Sequence, residues 1–277
     1  MSEPTPDPAT MEALSRRLAV FRHDTPRRPT PALAALVMVL IAVVGLGVWS
    51  ARGPAPWSTE TLACSDCIWR TDTPLDTDGF ATARIADRGT LQASPGTQLW
   101  RREASGARLE LTQGHLEVLV DAEPGWLTVA LPGVELVDLG CAFVIDVDAE
   151  GNGVVQVGSG AVALRSPVSE TILPAGTRAA TWPDGRTGLA VSHEASDAFV
   201  TLVDAFDQGG QWQPVVEQAE LVDAITLWHL LGRAPEQPII DRLTTLLGAN
   251  IVDADRLREG SSEARDELLA YIIGRTL

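Results

Sequence analysis

The sequence predicts a mainly β domain followed by a C-terminal α-helical region, with one transmembrane helix near the N-terminus. Three observations predict this. Residues 79–191 carry short runs that alternate apolar and polar side chains, separated by Pro-Gly and Asp-Gly pairs. After Ser192 the apolar spacing changes to the period of a helix. From Pro29 to Ala51 no residue is charged, and a run of ~20 apolar residues matches the hydrocarbon core of a bilayer.

Residues 1–28 hold one short amphipathic helix, from Thr10 to Phe21, with Met11, Leu14, Leu18 and Phe21 on one face around Arg16 and Arg17. A helix this short is marginal alone in water, so those four side chains are candidate partner contacts. Residues 29–51 read as a retained anchor. A cleaved signal peptide is the rival, but Trp49 occupies a place where the cleavage site needs a small residue, and the preceding segment is long. Arg22, Arg27 and Arg28 crowd one flank, whereas Arg52 is the only base on the other until Arg70. The basic flank stays in the cytoplasm, so residues 1–28 lie inside and residues 52–277 outside. Residues 52–78 form a Pro/Thr/Asp-rich linker containing Cys64 and Cys67. Two thiols cannot complete a zinc site, and Ile68 after Cys67 excludes covalent haem attachment. Outside the cytoplasm the pair is either a local disulfide or two free thiols.

In the β region, strands are expected at 81–85, 109–111, 115–121, 126–130, 135–139, 143–147, 154–157, 161–164, 171–173 and 178–182. Turn signals at Pro95-Gly96, Pro124-Gly125, Pro132-Gly133 and Asp184-Gly185 separate them. Strands at such even spacing suit a sandwich, a roll or a solenoid. The clearest unit is Val137 to Leu164, two alternating strands around a turn at Glu150 to Gly153. Gly151 and Gly153 are expected to supply positive φ there. Cys141, on an apolar strand, reads as a small buried hydrophobe. Residues 195–277 read as helices at 195–206, 214–231, 237–247 and 262–273. Ser196 and Ser262 are candidate N-caps, and Gly232, Gly248 and Gly274 candidate stops. Leu227, Trp228, Leu230 and Leu231 are the expected core of a small bundle.

Several of these segments match one family in order and spacing. Leu139-Gly140-Cys141-Ala142-Phe143 resembles a Leu-Gly-Thr-x-Phe motif with Cys141 in place of Thr, and Gly160-Ala161-Val162 follows as its Gly-x-Val step. Upstream, Ile85 to Leu91 and Ser94 to Leu99 are similar to the opening of the same pattern. Leu109 to Leu111 with Gly114 to Val118 is similar to its strand pair, and Ile172 to Thr177 to its closing turn. Over residues 79–191 the chain thus resembles the periplasmic FecR domain. The resemblance implies a solenoid- or roll-like β-domain on a single-pass inner-membrane protein that transmits a periplasmic signal to a cytoplasmic sigma factor. The helical region 195–277 departs from that family, whose C-terminus resembles a βαβ unit. Residues 1–28 are also shorter than a family anti-sigma domain. One helix buries too little for a standard interface of ~800 Å² per partner.

Charge narrows the partners. The net charge is −16, and all 21 basic residues are arginine. Residues 1–28 carry five Arg against Glu3, Asp7, Glu12 and Asp24, or +1, which leaves −17 for the rest. So acidic an outer part repels nucleic acid and anionic headgroups. The expected partners are proteins: a sigma factor inside, an envelope protein outside. No catalytic, cofactor or metal residues are expected. Asp146, Asp148 and Glu150 resemble half of an EF-hand loop, but Val157 stands where its last carboxylate belongs, so an acidic hairpin turn is the reading. Gly158-Ser159-Gly160 lacks the spacing of a nucleophile elbow. His23, His115, His193 and His229 are scattered, and eight tryptophans are dispersed, as core and turn anchors would be. A regulator is therefore expected, with an anchored periplasmic scaffold or binding module of no transcriptional role as the alternative.

Overall fold

A computed structural model describes residues 57–60, 67–70, 72–75, 77–102, 107–234 and 237–276. The partner-contact helix with Met11, Leu14, Leu18 and Phe21, the anchor 29–51 and Cys64 of the Cys64/Cys67 pair lie outside these. Among the described residues no helix is long and apolar enough to cross a membrane.

The β region is one curled sheet built around a single long strand. Its members are β1 (Ser58–Glu60), β2 (Cys67–Ile68), β3 (Thr73–Pro74), β4 (Ala81–Ile85), β5 (Gly89–Ala93), β6 (Gln98–Arg101), β7 (Ala107–Val120), β8 (Leu127–Leu131), β9 (Val134–Asp138), β10 (Ala142–Val147), β11 (Gly153–Ser159), β12 (Ala161–Arg165), β13 (Glu170–Pro174), β14 (Thr177–Thr181) and β15 (Val191–Ser192). The C-terminal part of β7 lies between β5 and β10, and β11, β14 and β15 continue outward. This is half-sheet I, extended on its other side by β4, β1 and β2. The N-terminal part of β7 lies between β6 and β8 and continues through β9, β12 and β13, with β3 beyond β6; this is half-sheet II.

Gly114 explains how one strand serves both. Its φ is +109°, and a Cβ there would stand 2.5 Å from the Thr97 Cα and hydroxyl, so no other residue fits without displacing β6. Upstream of the bend, Ala107, Leu109 and Leu111 are buried; downstream, Leu116, Val118 and Val120 are. The buried set thus changes from odd to even positions, where the ladder to β6 also slips between Gln98 and Leu99. That bulge corrects what would otherwise put one half's apolar side chains into solvent. From sequence alone this glycine separates two expected strands, 109–111 and 115–121, where the structure has one.

Every ladder among the described residues is antiparallel except β7 with β8. A parallel pair needs a long crossover, and the second half of β7 provides it. The architecture is therefore a curled antiparallel sheet, and the solenoid stack suggested by resemblance does not form. The stretch read as a linker also contributes. Trp57, Trp69 and Leu75 are buried, Trp57 and Trp69 meet edge to face at 5.7 Å, and the Arg101 guanidinium lies 4.5 Å over the Trp57 ring. Its strands are too short to show alternation, which is why composition hid them.

The crossover from half-sheet II to half-sheet I is the segment Asp138-Leu139-Gly140-Cys141. Gly140 has φ +91°, and its N–H donates to Asp138 Oδ1 at 3.1 Å. The Cys141 thiol donates to the same oxygen, so this residue is buried and also hydrogen-bonded. Asp138 is fully buried, its Oδ2 has no partner, and burial raises its pKa to about 6. In the following hairpin, Gly151 has φ +86° as expected. Gly153 does not have positive φ; it is needed because a Cβ would lie 2.4 Å from the Thr181 hydroxyl. Asp148 accepts from the Asn152 backbone and side-chain amides at 2.8 and 2.9 Å, closing the acidic turn on itself.

The helices are α1 (Asp197–Asp207), α2 (Gln213–Gln218), α3 (Ala224–Arg233), α4 (Gln237–Leu247), α5 (Ala254–Arg258) and α6 (Ser262–Thr276). Ser196 caps α1 by accepting from the Phe199 amide. Ser261, one residue before the expected Ser262, caps α6 through the Ala264 amide. The helix expected over 214–231 is broken. Ala219 is extended, the Arg242 guanidinium accepts the role of partner to its freed carbonyl by donating to it, and Asp223 caps the Glu220 amide. Gly248 ends α4 with φ +101°. Gly232 does not end a helix: it lies in α3, with the Arg265 guanidinium where its Cβ would be. Gly274 likewise lies within α6.

Residues 224–231 of α3 are buried all round, which marks a core helix in place of an amphipathic one. The Thr226 hydroxyl donates to the Ala190 carbonyl at 2.7 Å, and His229 Nε2–H to that of Ile172 at 2.8 Å. Arg233 donates to the Thr187 and Gly188 carbonyls. Asp207 accepts from the Leu189 amide beside Arg233, and burial still raises its pKa to about 6. Helices and sheet therefore share one core instead of forming a separate bundle.

Leu227→Ala should cost about 2–5 kcal/mol. Because the core is shared, urea unfolding followed by tryptophan fluorescence and by far-UV circular dichroism should still give one coincident transition; two separated transitions would contradict a shared core. Asp138 contributes most to stability below its unfolded pKa, and that contribution is lost as pH rises through about 6. Asp138→Asn should therefore gain in Tm on the wild type between about pH 4.5 and about pH 7.5, measured by thermal melts at both.

Candidate functional site

The inner faces of both half-sheets are consumed by the core, so chemistry directed at a partner is left to outer faces and loops. The outer face of half-sheet I has the least ordinary composition. Alternation along β7 points His115, Glu117 and Leu119 outward, and register places them in rows. Leu119 faces Thr90 and Ala142; Glu117 faces Gln92 and Val144; His115 faces Asp146, which is followed by Val154 on β11. Leu119 is 56% exposed and Val154 36%.

A shallow groove of about 380 Å³ runs over β5, β7 and β10. At its edge the ladder between β10 and β11 slips beside Ala142, which leaves Gly158 as the extra residue. Leu119, Ala142, Val144 and Gly158 are among its apolar lining, and Thr90, Gln92 and Glu117 are its polar lining.

Beside the groove, two carboxylates converge on one imidazole. His115 Nδ1 is 2.7 Å from Asp146 Oδ1, and Nε2 is 3.4 Å from Glu117 Oε1. The His115 amide donates to the Thr97 hydroxyl, which fixes the strand below the ring. The hydrogen bond to Asp146 holds the His115 pKa above its ordinary value of 6.5, against a smaller opposing effect of burial. The cluster carries two negative charges when the ring is neutral and one when it is protonated. Both ring nitrogens face carboxylates, and no serine, threonine or cysteine hydroxyl or thiol is among their hydrogen-bond partners. Among the described residues no three His, Cys, Asp or Glu side chains are grouped to hold a metal ion.

His115 reads as one of four scattered histidines in the sequence because Asp146, its nearer carboxylate partner, is 31 residues away. Only the alternation of His115, Glu117 and Leu119 was visible. Of the other sites the sequence singled out, Cys141 is buried at the crossover, His229 is buried with its pKa lowered by desolvation to about 3, and His193 is exposed. None of these three lines the groove, although Cys141 directly precedes Ala142, which does.

No family model matches the chain, and no curated protein matches it. Two crystal structures of a candidate anti-sigma factor from Parabacteroides distasonis ATCC 8503 are similar to it, at 17% and 16% identity and a TM-score of 0.36 each. Each similarity covers 47% of this chain and 63% or 64% of that one, so this chain spans less than two thirds of the proteins it matches.

His115 contributes stability below pH 6.5, and this is lost as pH rises through its raised pKa. In an NMR titration of the histidine ring protons, His115 should titrate above 6.5 in the wild type and move down toward it in Asp146→Asn. An unchanged midpoint would remove Asp146 as the cause.

Proposed function

We propose that the chain is a single-pass inner-membrane regulator that works by binding proteins and not by catalysis. Its outer β-domain holds an envelope protein, and residues 1–28 contact a cytoplasmic sigma factor. The observation that carries the protein-binding part is the outer face of half-sheet I, where Leu119 and Val154 are exposed and Val144 half-buried beside Glu117 and Asp146, uncovered among the described residues. An interface core mixes apolar area with a few placed charges in this way. The sigma-factor part is supported by the FecR-like motifs in residues 79–191 and by the charge-free run 29–51 with its basic inner flank. The same face would equally serve an anchored scaffold, for which no sigma factor is required.

The test is to extract the full-length protein and a version lacking residues 1–28 from their native membrane and identify co-purifying proteins by mass spectrometry. A sigma factor held by the full-length protein alone is the expected result. Envelope proteins held equally by both, with no sigma factor, would leave the binding module and remove the transcriptional role.

A further inference from the structure

We propose that the groove over β5, β7 and β10 takes a protein segment in which a leucine- or methionine-sized side chain stands next to an arginine or lysine. This rests on reading the chain as a protein-binding module, and names what its outer face recognises.

Three features of the face select that occupant. The backbone groups of β7 and β10 are already paired in ladders on both sides, so recognition runs through side chains and not by adding a strand. The groove lining sets the apolar Leu119, Ala142, Val144 and Gly158 beside the polar Thr90, Gln92 and Glu117, so it suits an apolar side chain with a polar neighbour. One residue pair along β7, Glu117 follows at ~7 Å, and His115 with Asp146 at ~14 Å. An amphipathic helix covers the first distance in about one turn and an extended segment in two residues.

Charge complementarity sets the second element. Several carboxylates elsewhere are paired with arginine: Glu110 with Arg102, Glu170 with Arg165, Asp184 with Arg186 and Glu263 with Arg256. Glu117 and Asp146 have only His115 as an ion-pair partner among the described residues. Two carboxylates sharing one imidazole leave net negative charge at the groove, Glu117 being part of its lining. A cation placed there completes the pairing, whereas a phosphate backbone or an anionic headgroup is repelled.

Fluorescence anisotropy with full-length protein in detergent tests this, using a labelled amphipathic leucine/lysine peptide and its leucine/glutamate counterpart as probes. The wild type should bind the first and not the second. Glu117→Arg with Asp146→Arg should weaken binding at least tenfold, and Leu119→Gln, at an exposed position that does not endanger folding, several-fold. Glu217→Arg, an exposed change of charge on α2 away from the groove, should have no effect. Equal loss in all charge variants would mean attraction by net charge alone and overturn the proposal. So would absence of binding, or equal binding of both peptides. Sedimentation of the same proteins covers the remaining occupant: a dimer abolished by Glu117→Arg with Asp146→Arg would assign the face to a second copy and overturn it. None of these readouts involves residues 1–28, so loss of the sigma-factor role and loss of this docking chemistry are told apart.

Discussion

Strand β7 belongs to both halves of the sheet, and the bend at Gly114 lets it do so. A side chain there would drive into Thr97 of the segment leading to β6, and a continuous alternation through the bend would turn one half's leucines and valines into water. The bulge opposite Gln98 shifts the phase by one residue, and Ala107, Leu109 and Leu111 then share an interior with Leu116, Val118 and Val120. The parallel pairing with β8, the curl of the sheet and the outward presentation of His115, Glu117 and Leu119 all follow from that change of direction.

The helical region completes the interior that the curl leaves open. α3 carries apolar side chains on every face, which is stable only inside a core, and its polar groups are spent on backbone carbonyls of β13 and the segment before β15. The pair Arg233 and Asp207 sits at this seam. Desolvation keeps the pKa of Asp207 high even with a guanidinium beside it, so the pair orients α3 more than it stabilises the fold. Asp138 at the crossover is a similar cost, a buried carboxyl that organises the Gly140 and Cys141 turn while leaving one oxygen unpaired.

Against this consumed interior, the outer face of half-sheet I stands apart. Its groove lies beside the bulge at Gly158, and two carboxylates meet at His115 with no arginine among their ion-pair partners in the described residues. Both are local departures from regular sheet structure, and bulges commonly re-aim side chains at binding surfaces. A regulator or an anchored scaffold would use the face in the same way; they differ in what lies across the membrane.

Alternation, turn residues and helical spacing by themselves determined most of the strands from Ala81 to Thr181, the helix Gln237–Leu247 and the Ser196 cap, because these depend on neighbours a few residues apart. The FecR-like motifs marked the crossover at Leu139 to Phe143 without revealing Asp138 as its hydrogen-bond acceptor. Long-range pairing decided the rest. Gly114 reads locally as a strand break and is a bend; Gly232 reads as a stop and makes room for Arg265; the linker strands gain their identity only from Trp57 and Trp69 packing with Arg101. His115 and Asp146 are 31 residues apart and meet through the register of β7 with β10, a choice made by the buried residues on the opposite face of the same strands.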